Sequence, residues 1–218
     1  MRYPILLLAI FLIVILRPFV AAFQPFYLPV GVDLLVLYLA VIYAFRDARS
    51  ILTVLIPLAV LSVLLRFASA HWRLLTFEIA SQGLSLVAMV LVGVALLSEV
   101  LRARTASTDL VIGAACLYLI IGVAWMFLYY SMYLLFPGSI FVSPGPRSEV
   151  ASEARIIDLL YFSLGALTTL GSGGEQVMTT LARRLAVVES VMAQLYLAVL
   201  ISRLVGFNTA TANTESRS

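Results

Sequence analysis

The sequence predicts an all-α membrane protein. Three observations carry that prediction: a mean hydropathy of +1.09, a charged fraction of only 11%, and apolar runs that repeatedly reach membrane length. A soluble domain carries about a quarter charged residues, so that class is excluded. Crossing the roughly 30 Å hydrocarbon core takes about 20 mostly apolar residues. Six runs qualify, at approximately 3–23, 29–46, 51–70, 79–101, 109–136 and 181–207.

The first run follows Arg2 and ends near Arg17-Pro18 without a small-residue cleavage site, which favours an uncleaved helix over a signal peptide. Gln24-Pro25 separates it from the second run, which closes at Arg46-Asp47-Ala48-Arg49. The third contains Arg66 near one end and closes at His71-Trp72-Arg73. An arginine so placed can snorkel to the headgroups, as can Arg17. The fourth run has no arginine until Arg102 and Arg104, whereas a voltage sensor needs one at every third position. Its Ser81, Gln82, Gly83 and Ser85 read as helix-packing groups. The fifth holds Cys116, the one cysteine, which excludes a disulfide within the chain and suits a small buried side chain. Pro137-Gly138 and Ser143-Pro144-Gly145-Pro146 predict an irregular exposed collar over 137–156. The polar tail after Phe207 is expected to fray.

All 14 basic residues are arginines, the net charge is +3, and they form no cluster, which argues against nucleic acid as a partner. Their distribution favours an inside N-terminus only weakly. An even number of spans returns both termini to one side.

Residues 157–174, Ile-Ile-Asp-Leu-Leu-Tyr-Phe-Ser-Leu-Gly-Ala-Leu-Thr-Thr-Leu-Gly-Ser-Gly, are the most informative stretch. A short apolar helix there leads into a glycine-rich loop between two membrane-length runs. The bilayer tolerates non-helical backbone only where it is buried in protein or lines a watery path. Gly171 and Gly173 alternate, and glycine reaches the positive φ values that other residues resist. Successive carbonyls can then turn to one side and replace the hydration shell of an ion. Nothing like this stretch recurs, so one chain supplies one loop and several chains must meet around an axis.

The stretch resembles the pore loop of the potassium-channel superfamily, in which a short helix ends in T-x-G-Y-G-D; here the aligned residues are Thr169, Leu170, Gly171, Ser172, Gly173 and Gly174. Leu181-Ala182-Arg183-Arg184-Leu185-Ala186-Val187-Val188-Glu189 and Gln194-Leu195-Tyr196-Leu197-Ala198 are similar to the inner helix of two-helix prokaryotic pore modules. The resemblance covers roughly 109–207. Ser172 stands where the family has Tyr, and Gly174 where it has Asp.

The resemblance implies six transmembrane helices with a re-entrant pore helix and filter loop between the fifth and sixth, in a homotetramer. It divides the chain into a four-helix region at 1–105, a pore domain at 106–208 and a tail at 209–218. It also implies a multi-pass protein of a prokaryotic-type cell membrane with both termini cytoplasmic. Its partners are further copies of itself, lipids and monovalent cations. No cofactor is expected; potassium is the permeant ion and sodium a second candidate.

On this reading the carbonyls of Thr169, Leu170, Gly171 and Ser172, with the Thr169 hydroxyl, bind a monovalent cation, and Gly173 completes the filter. Leu170 is expected to turn away into packing. Gly174 and Glu175 lie at the outer mouth, where four Glu175 carboxylates would concentrate cations within about 8 Å at physiological salt; a solvated carboxylate is the alternative. Tyr161, Phe162, Thr168 and Glu189 are expected to support the filter. Asp158, read as near the start of a helix at about 157–168, suits the positive end of its dipole. At 100° per residue, Gln194, Leu197, Ile201 and Val205 share one sector of the last helix and could line the pore or gate it by dewetting, with Glu189, Tyr196, Leu200 and Arg203 opposite. Ala193 occupies the position where the family often has a hinge glycine.

With Ser172 small, Gly174 lacking a side chain and no Trp on the pore helix, the outer filter should be soft and its preference for potassium weakened. A non-conducting scaffold that retains the pore fold is the second reading. An intramembrane protease with Ser172 as nucleophile would need His71, which sits at a helix end with no positioned partner, so no enzyme is expected.

Overall fold

The computed structural model describes residues 3–16, 31–72, 74–103, 107–136, 138–140, 149–171 and 179–215, with side chains described except at 15–16, 149–154 and 207–215. Every regular element among them is helical. Helix α1 (Tyr3–Phe11) continues into a wider π-helical turn at Leu12–Leu16. Then follow α2 (Val32–Ala44), α3 (Arg49–Trp72), α4 (Leu75–Arg102), α5 (Thr108–Leu135), α6 (Glu149–Leu167) and α7 (Thr180–Glu215).

Among the described residues four helices are long and apolar enough to cross a membrane: α3, α4, α5 and the Thr180–Gly206 part of α7. Two expected spans are shorter among the described residues, the apolar helices being Tyr3–Val14 and Val32–Ala44. At 1.5 Å per residue the 13 residues of α2 reach about 20 Å. Gly31, with φ +97°, precedes α2, and Phe45 leaves helical geometry just before the polar Arg46-Asp47 pair.

Helix α5 is the hub, with α1, α4, α6 and α7 packed around it. Half of its membrane-length window is buried, against 11% for α7, so of the four membrane-length helices α7 is the one whose surface its own chain leaves most open. The N-cap of α5 is Ser107, whose Oγ accepts from the Leu110 amide at 3.2 Å. Thr179 does the same for α7, accepting from the Ala182 amide at 3.3 Å while its own amide and hydroxyl donate to the Ser139 carbonyl. The start of α7 is thereby tied to the chain just past α5.

In a membrane, helices associate through close packing and polar contacts more than through water exclusion. Gly113 illustrates this. A Cβ there would meet the Tyr3 ring at 3.0 and 3.1 Å, and that ring is held by the hydrogen bond of its hydroxyl to Glu99. Gly113→Val should therefore lower stability by about 1–3 kcal/mol through overpacking, read as a lowered midpoint of thermal unfolding in detergent.

Several expectations are corrected. The irregular collar does not extend to 156, because α6 begins at Glu149. The turn residues stop at Pro146, and Glu149, Ala151, Glu153, Ala154 and Arg155 are good helix formers. Asp158 consequently sits half-buried in mid-helix, far from the positive end. The tail does not fray directly after Phe207; the helical backbone continues to Glu215. Arg66 does not snorkel alone. It is buried and lies 3.8 Å from Glu78, which also accepts from the Tyr130 hydroxyl. Arg155, expected in an outer loop, is buried with its guanidinium over the Tyr133 ring.

Candidate functional site

Helix α6 lies between α5 and α7 and delivers the glycine-rich loop. Two features set how closely it approaches α5. Gly122 has no side chain, and a Cβ there would meet Leu164 at 3.1 Å and Leu167 at 3.3 Å. The Ser163 hydroxyl reaches the Gly122 carbonyl at 2.8 Å. On the same buried face, Phe162 meets Tyr129 edge-to-face, with ring centroids 4.9 Å apart.

Glu189 completes this contact. It is fully buried on α7, with its Oε1 2.5 Å from the Ser163 hydroxyl and its Oε2 accepting from the Tyr129 hydroxyl at 2.7 Å. One carboxylate thus joins α5, α6 and α7 behind the loop. A buried carboxylate is costly unless such donors satisfy it, so the three residues operate as a set.

The C-terminal end of α6 is also held from both sides. Ser190 reaches the Ala166 carbonyl at 2.7 Å, and Tyr118 donates to the Leu167 carbonyl at 3.0 Å. The Thr168 hydroxyl folds back to the Leu164 carbonyl at 2.7 Å. The Tyr118 hydroxyl takes up a carbonyl of the last turn, where a helix leaves carbonyls without intrahelical partners, while the Leu164 and Ala166 carbonyls accept a backbone amide as well as a hydroxyl.

Beyond Leu167 the chain makes a tight return. The Thr169 amide donates to the Ala166 carbonyl and the Gly171 amide to the Gly165 carbonyl, each at 3.2 Å. Positive φ occurs at every second residue here, +60° at Thr169 and +81° at Gly171. Gly171 was expected to need it. For the β-branched Thr169 it is strained by about 1–2 kcal/mol, and strain of this kind concentrates at functional segments. Gly165 allows the return: a Cβ there would meet the Gly171 carbonyl oxygen at 3.0 Å.

Ser172, Gly173, Gly174 and Glu175 lie outside the described residues. Thr168, Thr169, Leu170 and Gly171 are together and exposed in the single chain. Leu170 was expected to turn into packing; in the single chain it is 73% exposed. Tyr161 is likewise exposed and does not share the buried face of Phe162. On α7, Glu189, Tyr196, Leu200 and Arg203 face their own chain to differing degrees, whereas Gln194, Ile201 and Val205 are exposed and Leu197 is half-buried. Tyr196 donates to the Ala114 carbonyl at 2.7 Å. Arg203 donates to the Leu101 and Ala103 carbonyls, each at 2.8 Å, tying the far end of α7 to the end of α4.

Sequence reasoning missed Ser163, Ser190, Tyr118, Tyr129, Gly122 and Gly165. Only Gly165 carried a signal, a glycine inside an apolar helix four residues before the loop motif. His71 stands at the end of α3 with its ring edge-on to Trp72. Among the described residues no group of three or more His, Cys, Asp or Glu could hold a metal ion. No protein-family model matches the chain, nor does any curated protein or solved structure.

Proposed function

We propose that this chain is the subunit of a tetrameric cation channel of a cell membrane, conducting monovalent ions through a backbone-carbonyl filter at residues 169–173. The observation that carries the reading is the turn after α6. A helix ends in a Thr-Thr-Leu-Gly segment with positive φ at Thr169 and Gly171, and six side chains, Tyr118, Tyr129, Ser163, Thr168, Glu189 and Ser190, hold that helix and its end. The exposed face of α7 supports assembly, since Gln194, Ile201 and Val205 are exposed in the single chain and would line a shared path.

The chemistry follows from the loop. A cation shedding water needs oxygen ligands, and carbonyls of several chains around an axis supply them. The C-terminal end of α6 carries partial negative charge and favours a cation nearby. Ser172 and Gly174, in place of the aromatic and acidic residues of the family pattern, would weaken the outer filter and with it the preference for potassium over sodium. The same two residues favour the second reading, a scaffold that keeps the pore fold without conducting.

The test is ion flux from liposomes containing the purified full chain, with reversal potentials under potassium and sodium gradients. Conduction with weak potassium preference is expected, made more selective by Ser172→Tyr with Gly174→Asp. Because α4 has no arginine ladder, opening should depend little on voltage. A protein that stays monomeric, or passes neither ion, sinks the channel reading and leaves the scaffold.

A further inference from the structure

Asp158 of α6 and Arg184 of α7 carry opposite charges that their own chain leaves unused. Asp158 is half-buried and Arg184 exposed, and no hydrogen bond or ion pair engages either among the described residues. A charge in a membrane-embedded helix is costly unless paired, so each calls for a counter-charge from outside the chain. Resting on the tetrameric reading above, we propose that Asp158 of one copy pairs with Arg184 of the next, closing a ring of four ion pairs around the assembly.

The two charges stand at one level. Helices α6 and α7 meet where Ser163 lies 2.5 Å from Glu189 and where Ser190 reaches the Ala166 carbonyl at 2.7 Å, so residue numbers rise in the same direction along both. Asp158 comes five residues before Ser163, and Arg184 five before Glu189. At 1.5 Å per residue each stands about 7.5 Å back from that contact. Five residues also turn a helix through about 140° beyond a full turn, so both charges point away from the side chains that join the two helices. That is why they do not meet within one chain.

Direction selects the partner. Measured from Arg184 at 100° per residue, Val188, Val191 and Leu195 fall within about 40° of it, and all four are exposed. Glu189, Tyr196 and Arg203, which bond to their own chain, centre about 120° round the helix. Gln194, Ile201 and Val205, assigned above to the shared path, centre about 80° round the other way. The stripe headed by Arg184 is the remaining sector of α7, and in a ring of copies that sector faces the neighbour. On α6, Tyr161 follows Asp158 by three residues, shares its face and is exposed. An acid beside an aromatic thus meets a base beside aliphatic side chains. Such an interface is head-to-tail, and with closed rotational symmetry every Asp158 finds an Arg184 with none left over.

The experiment uses the full chain in detergent and reads oligomeric state by native mass spectrometry, without ion flux. Asp158→Arg and Arg184→Asp are each prepared alone, then co-expressed under different tags. Alone, either variant sets like charges against each other at every interface. At a dilution where the parent is half tetrameric, either should keep less than about a tenth of its chains in tetramers, since each lost pair weakens an interface about fivefold. Co-expressed, they should assemble at the parent's level with two copies of each, because alternating chains restore an opposite pair at every interface. A pair formed inside one chain would not be rescued in this way, since each variant chain carries two like charges. If the reversals do not fold, Asp158→Asn and Arg184→Gln replace them: each should weaken assembly, and the two together no further. Variants that assemble like the parent, folded reversals whose mixture does no better than either alone, or neutral variants whose effects add would overturn the ring. A tetrameric parent with those results loses only the ring; a parent that is not tetrameric overturns the channel reading as well.

Discussion

Gly165→Ala should leave the protein folded, with stability within about 2 kcal/mol of the parent, and yet cut ion flux by tenfold or more. Two opposed terms set the stability. Within a helix, alanine is favoured over glycine by about 1 kcal/mol, and the new contact below offsets that gain. The new methyl would sit 3.0 Å from the Gly171 carbonyl oxygen, closer than carbon and oxygen tolerate, and that oxygen is backbone and cannot swing aside as a side chain can. The loop must shift by a few tenths of an ångström at a carbonyl proposed to bind the ion. Binding geometry of that kind loses on the order of tenfold or more for small misplacements. Thermal unfolding and liposome flux, measured on one preparation, check it. Unaltered flux with a normal melting curve would show that the return of Gly171 onto Gly165 has no part in conduction.

Glu189→Ala should be the most damaging single change behind the loop, whereas Glu189→Gln should be mild. The carboxylate has no exposed surface and accepts from Tyr129 at 2.7 Å, with Ser163 at 2.5 Å from its other oxygen. Truncation to alanine strands the Tyr129 hydroxyl and opens a void, together costing about 3 kcal/mol. Glutamine keeps a carbonyl acceptor, and a hydroxyl can rotate to receive its amide, so about 1 kcal/mol is the expected loss. Tyr129→Phe removes one donor and should fall near the glutamine variant. Denaturant or thermal unfolding ranks the three, and flux should follow the same order because the contact joins the helix that carries the loop to both of its neighbours. Equal stability of Glu189→Ala and Glu189→Gln would mean that Glu189 fills space and braces nothing.

The sector reading of α7 shows how far periodicity reaches. An angle of 100° per residue separates Gln194, Leu197, Ile201 and Val205 from Glu189, Tyr196, Leu200 and Arg203; Gln194, Ile201 and Val205 are exposed in the single chain, whereas Leu197 is half-buried like Tyr196, Leu200 and Arg203. Periodicity says which residues share a face, but it does not name what that face meets. The boundary of α6 was misjudged for a related reason. The proline-glycine signals end at 146, and treating the next ten residues as their continuation hid eight residues of ordinary helix formers.

The sequence by itself determined the membrane class, the order of the apolar helices, the absence of an arginine ladder, and the glycine at 171 that needs positive φ. Each is a property of a segment, set by composition or by spacing within a few residues, and each acts wherever the segment ends up. Only the tertiary structure decided the partners: Glu189 with Tyr129 and Ser163, Arg203 with Leu101 and Ala103, Arg66 with Glu78. These contacts join residues from 12 positions apart, for Arg66 and Glu78, to more than a hundred, for Arg203 and Leu101. Burial makes an unpaired polar group costly but leaves the choice of partner to whichever helix packs alongside, and that choice is made by the whole bundle at once.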